Sequence, residues 1–158
     1  MKSFVINLLI AVIWLLLSSE PSSGVFAVGF LVGFALLGVF QSVLESPDYV
    51  RRVFALGRFL LVFAGEFLAA NLNVIRTVLF RSRDSLHPNF ITYDVSGLRP
   101  MEILLLSYCV SLTPGSTTVK VTDDFTTLVL HAIDADDPRE VRARLDRVFR
   151  RGILSFTR

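Results

Sequence analysis

The charges of this chain are spread so unevenly that its first half reads as built for lipid and its second for water. From Met1 to Phe80 the sequence holds five basic residues (Lys2, Arg51, Arg52, Arg58, Arg76) and four acidic ones (Glu20, Glu45, Asp48, Glu66). Of the 16 basic and 14 acidic residues in the whole chain, that leaves eleven and ten for the stretch from Arg81 onward. The latter is an ordinary density for a small water-facing domain. A break near Arg81 therefore separates a membrane domain, 1–80, from an α+β domain, 81–158. The second part, about 75 residues, is close to the lower size at which a domain holds together alone, so it is expected to lean on the membrane or on other subunits.

The first apolar run, Phe4 to Leu17, follows Lys2 and is interrupted only by Asn7. It could be the charged and hydrophobic part of a secretory signal. No small-x-small cleavage pattern follows Leu17, however, and a second apolar segment begins within a few residues. The run is therefore read as a retained span at about 3–19, at the short end of the ~17–25 residues that cross a bilayer. Glu20 to Gly24 has the composition of a turn, because Pro21 opposes helix continuation and Gly24 frees the backbone. A second span follows at about 25–44, in which Gly29 and Gly33 form a small-xxx-small pair that would let the first helix approach closely.

The third apolar segment, about 52–80, decides the topology. At ~100° per residue, Arg51, Arg58, Glu66, Ala69, Asn73, Arg76 and Arg83 fall in one sector about 100° wide, with Phe, Leu, Val and Ile opposite. A lipid-exposed spanning helix would not carry Arg58 and Glu66 near its middle without partners, since each charge there costs several kcal/mol. The arginine and lysine bias of the loops gives an independent orientation. Lys2 places the start of the chain inside, the turn at Glu20 carries no positive charge, and Arg51 with Arg52 brings the chain back inside. If the third segment also crossed, the arginine-rich remainder would lie outside. An amphipathic helix in the membrane plane avoids that conflict. The alternative is a third spanning helix, in which Glu66 and Arg58 face other subunits.

In the second half, Phe90 to Val95 alternates as a half-buried strand with Ile91, Tyr93 and Val95 on one face. Pro100 to Leu112 reads as a helix with proline in its first turn, so apolar that it needs cover on most sides. Pro114 ends it, and Gly115 permits a sharp turn. Thr117–Val121 and Thr126–Ile133 are β-rich on either side of a turn at Thr122-Asp123-Asp124, giving a hairpin. Asp137 caps a last helix that begins at Pro138, buries Val141, Leu145, Val148 and Phe149, and stops at Gly152. The expected fold is an integral membrane α-helical hairpin plus an in-plane amphipathic helix, followed by a small α+β (βαββα) cytoplasmic domain.

The string Ser111-Leu112-Thr113-Pro114-Gly115-Ser116, with His131-Ala132-Ile133-Asp134 on the following hairpin, resembles the E subunit of the multi-subunit Mrp-type cation/proton antiporters. The resemblance extends over essentially the full length: the hydrophobic hairpin, the arginine pair after it, the segment with Glu66 and Asn71, and the leucine-rich helix entering Leu-Thr-Pro-Gly. Ser116 departs from the pattern, where the family usually has threonine; both are small hydroxyl residues. The resemblance implies an accessory subunit of a multi-pass assembly in the cell membrane that exchanges sodium or another monovalent cation for protons. Its partners would be the other antiporter subunits and the lipid bilayer, with the small domain and the start of the chain on the cytoplasmic side. Two other readings stay open: a membrane-tethered binding or sensor domain, and the equivalent subunit of a related redox-driven cation pump.

Few residues carry chemistry of their own. One cysteine, Cys109, excludes an internal disulfide framework, and His87 and His131 lie too far apart for a local metal motif. No Gly-rich phosphate loop, nucleophile triad or basic patch interleaved with aromatics is present, so no catalysis, cofactor, nucleic-acid partner or small-molecule substrate is expected. Glu66 is the sharpest candidate for a direct role, because ionisable groups at membrane depth often mark ion or proton paths. Its plainer reading is a pair with Arg58 or with a neighbouring subunit. Thr113, Pro114 and Gly115 read as a helix terminator that could also dock another subunit. His131 reads as a hydrogen-bonded strand residue that could respond to pH. The arginines of the last helix (Arg139, Arg142, Arg144, Arg147, Arg150, Arg151) read as a solvated face, some of which could contact anionic lipid head groups or an acidic partner.

Overall fold

The computed structural model describes residues 2–40, 47–82, 85–135 and 137–158. They are mostly helical, with one three-stranded antiparallel sheet and one long apolar helix. The expected end of the second span at Leu44 and the place of Arg83 in the polar sector lie outside the described residues. By density of contacts the chain divides into 1–54 and 55–158.

In the first unit, helices α1 (Lys2–Leu17) and α2 (Ser23–Val39) are joined by a short turn, and the Ser22 hydroxyl caps α2 by accepting from the Val25 amide at 3.3 Å. Moving forward along α2, Gly29 faces Trp14 and Gly33 faces Asn7 and Ile10, so the two helices run antiparallel. A methyl group on Gly29 would stand 2.7 Å from the Trp14 Cβ, and one on Gly33 would overlap the Asn7 side-chain oxygen. The glycine pair therefore is the notch in which α1 lies, as its spacing predicted. The start of α3 (Pro47–Phe80) completes this unit. There the Asn7 amide nitrogen donates to the Tyr49 hydroxyl at 3.0 Å, and the Phe34 ring lies 5.9 Å from Tyr49 and 5.8 Å from Phe54. With 16 and 17 residues, α1 and α2 are each about 25 Å long at ~1.5 Å per residue. Among the described residues only α3 is long and apolar enough to cross a membrane.

The second unit is built from the rest of α3, strands β1 (Asn89–Asp94), β2 (Ser116–Val121) and β3 (Thr127–Ala132), and helices α4 (Pro100–Leu112), α5 (Pro138–Leu145) and α6 (Arg151–Thr157). The sheet order is β1-β3-β2, so β3 is central and both partners are antiparallel to it. Alternation puts Ile91, Tyr93, Leu128 and Leu130 on one face, and all four are buried. Leu106, Val110, Leu145, Phe149 and Ile153 complete that core from the helices. Its outer layer is α3, where Phe59 meets Phe156 at 5.4 Å and Phe63 meets Phe149 at 6.2 Å between ring centres.

The structure departs from one expectation at the end of the chain's last helical segment. Gly152 does not end the last helix. The chain continues through a π-turn, Asp146–Arg150, into α6, and Gly152 instead receives the Phe59 ring, which any Cβ would strike. The wider π-turn rewinds the helix so that Leu145, Phe149 and Ile153, spaced by four, all stay buried. Helix α4 is covered on most sides, as expected, through Ile103, Leu106, Cys109 and Val110, and leaves one exposed stripe of Met101, Leu104, Tyr108 and Leu112 along its outer face.

Candidate functional site

The expected site residues converge only in part, around the turn after α4. The Thr113 hydroxyl donates to the Cys109 carbonyl at 2.7 Å, and its amide donates to the same oxygen at 3.2 Å. Together these bonds satisfy an end of α4 that Pro114 cannot extend. Gly115 turns the chain with φ +94°, a left-handed value that disfavours any side chain, and its carbonyl accepts from the Ile133 amide at 2.9 Å. The turn reaches α3 at Val74, whose Cγ2 would lie 3.6 Å from a Cβ on Gly115. Between them is a cavity of about 130 Å³ lined by Asn73, Thr77, Pro114, Asp134 and Arg144 among others.

Ion pairs flank this cavity. Glu66 on α3 accepts from Arg144 on α5, with the Nε at 3.0 Å and an Nη on the same oxygen. Arg81, just past α3, pairs with Asp134 and donates to the Ser85 carbonyl at 2.5 Å. Asp134 also accepts from the His87 amide at 3.3 Å, and so ties the connector after α3 to the end of β3.

Glu66 therefore pairs with Arg144 and not with Arg58. Those two α3 residues are eight apart, about 12 Å along the axis, and Arg58 lines a separate groove. Asn71 donates to the Phe67 carbonyl of its own helix at 2.7 Å. His131 sits on the sheet face away from the core, opposite Thr117 and Phe90, with its ring 5.0 Å from the Phe90 ring. In the His-Ala-Ile-Asp string it is Asp134, unremarked by motif reasoning, that makes the tertiary bonds.

The arginine face is not uniformly solvated either. Arg142 donates to the Thr92 carbonyl at 2.8 Å and Arg150 to the Asp94 carbonyl at 2.9 Å, stapling the helix to β1, while Arg144 holds Glu66. Arg150 also stands 6.0 Å over the Tyr93 ring. Burial and the hydrogen bond to Asp146, at 2.5 Å, push the Tyr93 hydroxyl up to about 12.

Sequence reasoning missed one further constellation altogether. Glu102, 1% exposed on α4, accepts from Arg158 (2.9 and 3.2 Å), Thr157 (2.8 Å) and the Arg99 amide (2.8 Å). The Arg158 guanidinium outweighs burial and holds this carboxyl at about 2 against an ordinary 4.5. A signal for the local half was present, since Glu102 three residues after Arg99 fits the acidic arm of a capping box. The long-range half had none.

The family model for a Na+/H+ ion antiporter subunit matches residues 7–155. The E1 subunit of the Na(+)/H(+) antiporter of Staphylococcus epidermidis is 31% identical over 94% of this chain and 95% of its own length. The E subunit of the Na(+)/H(+) antiporter of Alkalihalophilus pseudofirmus is 30% identical over 97% and 96%. A chain of the membrane-bound sulfane sulfur reductase, an archaeal respiratory membrane complex, shares the fold with a TM-score of 0.56 and 18% identity, over 95% of this chain and 98% of that one. The family match runs through the glycine notch, α3 and the Thr-Pro-Gly turn alike, and the chain belongs to the family of Na+/H+ antiporter E subunits.

Proposed function

We propose that this chain is an accessory subunit of a multi-subunit monovalent cation (Na+)/proton antiporter, assembling with the other antiporter subunits in the cell membrane and supporting the activity of the complex without carrying its main ion path. The observation that carries this is the family match over residues 7–155, which takes in the membrane helices and the α+β unit together. The exposed α4 stripe of Met101, Leu104, Tyr108 and Leu112 supports it, as a surface on which another subunit can dock.

The domain arrangement and topology belong to the same proposal. The pair α1–α2 crosses the membrane as a hairpin, and α3 from Ala55 onward lies in the interface as a floor for the cytoplasmic βαββα domain. In support, one side of α3 is covered through Phe59, Phe63 and Ala70, while Leu61 (78% exposed), Leu68, Leu72 and Leu79 form a bare stripe on another. A spanning α3 would drag the charged domain packed on it into hydrocarbon. Glu66 then serves as a positioning partner for Arg144, and the Thr-Pro-Gly turn sets α4 and β3 on α3.

The test is deletion and reconstitution. Removing the chain should abolish Na+-dependent proton exchange in everted membrane vesicles and leave the remaining subunits incompletely co-purified. Intact exchange after deletion, with the chain itself a stable monomer in mild detergent, would overturn the proposal. Glu66→Gln separates the roles further. Exchange should persist wherever the complex still assembles, and its loss in a fully assembled complex would make Glu66 part of an ion or proton path.

A further inference from the structure

We infer that the groove between α3 and the π-turn–α6 segment is a binding site for the phosphate group of an anionic phospholipid. The groove, about 380 Å³, is lined by Arg58 and Val62 from α3 and by Arg147, Val148 and Arg151 opposite, with Phe59 at its base. Among the described residues no carboxylate lines it. Arg81, Arg142, Arg144, Arg150 and Arg158 each donate to a carboxylate or a carbonyl, whereas Arg58, Arg147 and Arg151 make no hydrogen bond or ion pair among the described residues. Three guanidinium groups without a partner among the described residues are thus gathered round one opening, where an anion from outside would offset their mutual repulsion. Planar guanidinium forks match phosphate oxygens in geometry as well as charge.

The position of the groove selects a lipid over a soluble phosphate. On the helical wheel of α3, Leu61, Leu68, Leu72 and Leu79 all fall within about 80° of Arg58, on the side away from the core-facing Phe59 and Phe63. Arg58 therefore sits on the shoulder of the bare apolar stripe. With the stripe at the acyl boundary, the groove mouth is at headgroup depth, where basic side chains meet anionic lipid. The apolar base of Phe59, Val62 and Val148 would accept the glycerol and the first acyl carbons, for which a free phosphate has no counterpart.

This inference rests on the proposed interfacial seat of α3, and the experiment separates the two. The full chain in mild detergent is titrated with phosphatidylglycerol, phosphatidylcholine or inorganic phosphate, and retained lipid is read by native mass spectrometry together with the melting temperature. Phosphatidylglycerol should be retained and raise the melting temperature. Phosphatidylcholine should not, and millimolar phosphate should not compete it away. The triple variant R58Q/R147Q/R151Q should weaken retention at least tenfold with an unchanged circular dichroism spectrum, whereas Arg139→Gln, outside the groove, should leave it intact. Equal retention of the two lipids, full competition by phosphate, or undiminished retention in the triple variant would overturn the site. So would a triple variant that retains lipid normally but no longer co-purifies with the other subunits, which would assign the groove to an acidic protein surface. In parallel, a fluorophore on Leu61→Cys in vesicles is challenged with an aqueous quencher. Protection of the fluorophore with no lipid retained would remove the groove alone, while ready quenching would remove the interfacial seat on which it rests.

Discussion

At the scale of single residues, Glu102 shows how a charge can be buried without a penalty that unfolds the helix around it. Its carboxylate gathers Arg158, Thr157 and the Arg99 amide, so the ionised form is the bonded one, and its titration falls from 4.5 to about 2. A carboxyl depressed in the fold contributes stability that is fully present above its unfolded value and disappears as pH falls toward its folded value. The chain should therefore lose melting temperature between about pH 5 and pH 2. Glu102→Gln should be less stable at pH 7 and flatter across that window, and parallel slopes for the two proteins in thermal melts would refute the assignment. The helix carrying Glu102 was legible in full, because Pro100 and the Thr113-Pro114 pair are local punctuation that act through the backbone. The role of Glu102 was not, since Arg158 lies 56 residues away and no spacing rule joins them. The same applies to Glu66 and Arg144, 78 residues apart, which is why Arg58 on the same helix looked like the natural partner.

At the scale of elements, glycine had two meanings that sequence alone did not separate. Gly29 and Gly33 were readable as a notch because a second apolar helix was available nearby in sequence to fill it. Gly152 has the same physical role, a missing Cβ that admits Phe59, but the ring comes from a helix more than 90 positions earlier, so local spacing alone points to a helix stop. Gly152→Ala should cost about 1–3 kcal/mol through overpacking. If the clash is with Phe59, Phe59→Leu should absorb part of that cost. The double variant would then be less destabilised than the sum of the single variants in urea unfolding of the full chain in detergent, and strict additivity would place the strain elsewhere. The amphipathicity of α3 was likewise half legible. Its polar sector was visible, but the opposite apolar side divides into a part covered by the α+β unit and a bare leucine stripe. Composition cannot distinguish a leucine bound for protein from one bound for lipid.

At the scale of the whole molecule, hydropathy breaks near Arg81 while packing breaks after Phe54, because the two measure different things. Hydropathy reports which solvent a segment prefers, and contact density reports which neighbours cover it. On the proposed interfacial seat of α3, a helix with one face in lipid and one under a folded domain would belong to the apolar half by the first measure and to the α+β half by the second. That double membership makes the topology testable by sidedness. In a Cys109→Ser background, single cysteines at Ser19, between α1 and α2, and at Ser96, after β1, are challenged with a membrane-impermeant maleimide in intact cells and in everted vesicles. With two spans and α3 in the interface, Ser19→Cys should label only in intact cells and Ser96→Cys only in everted vesicles. A third crossing would carry the whole α+β unit to the face of the α1–α2 turn, so both positions would then label in the same preparation. Labelling on one side would thus replace the interfacial α3 with a spanning one and require Arg58 to be neutralised by other subunits within the membrane.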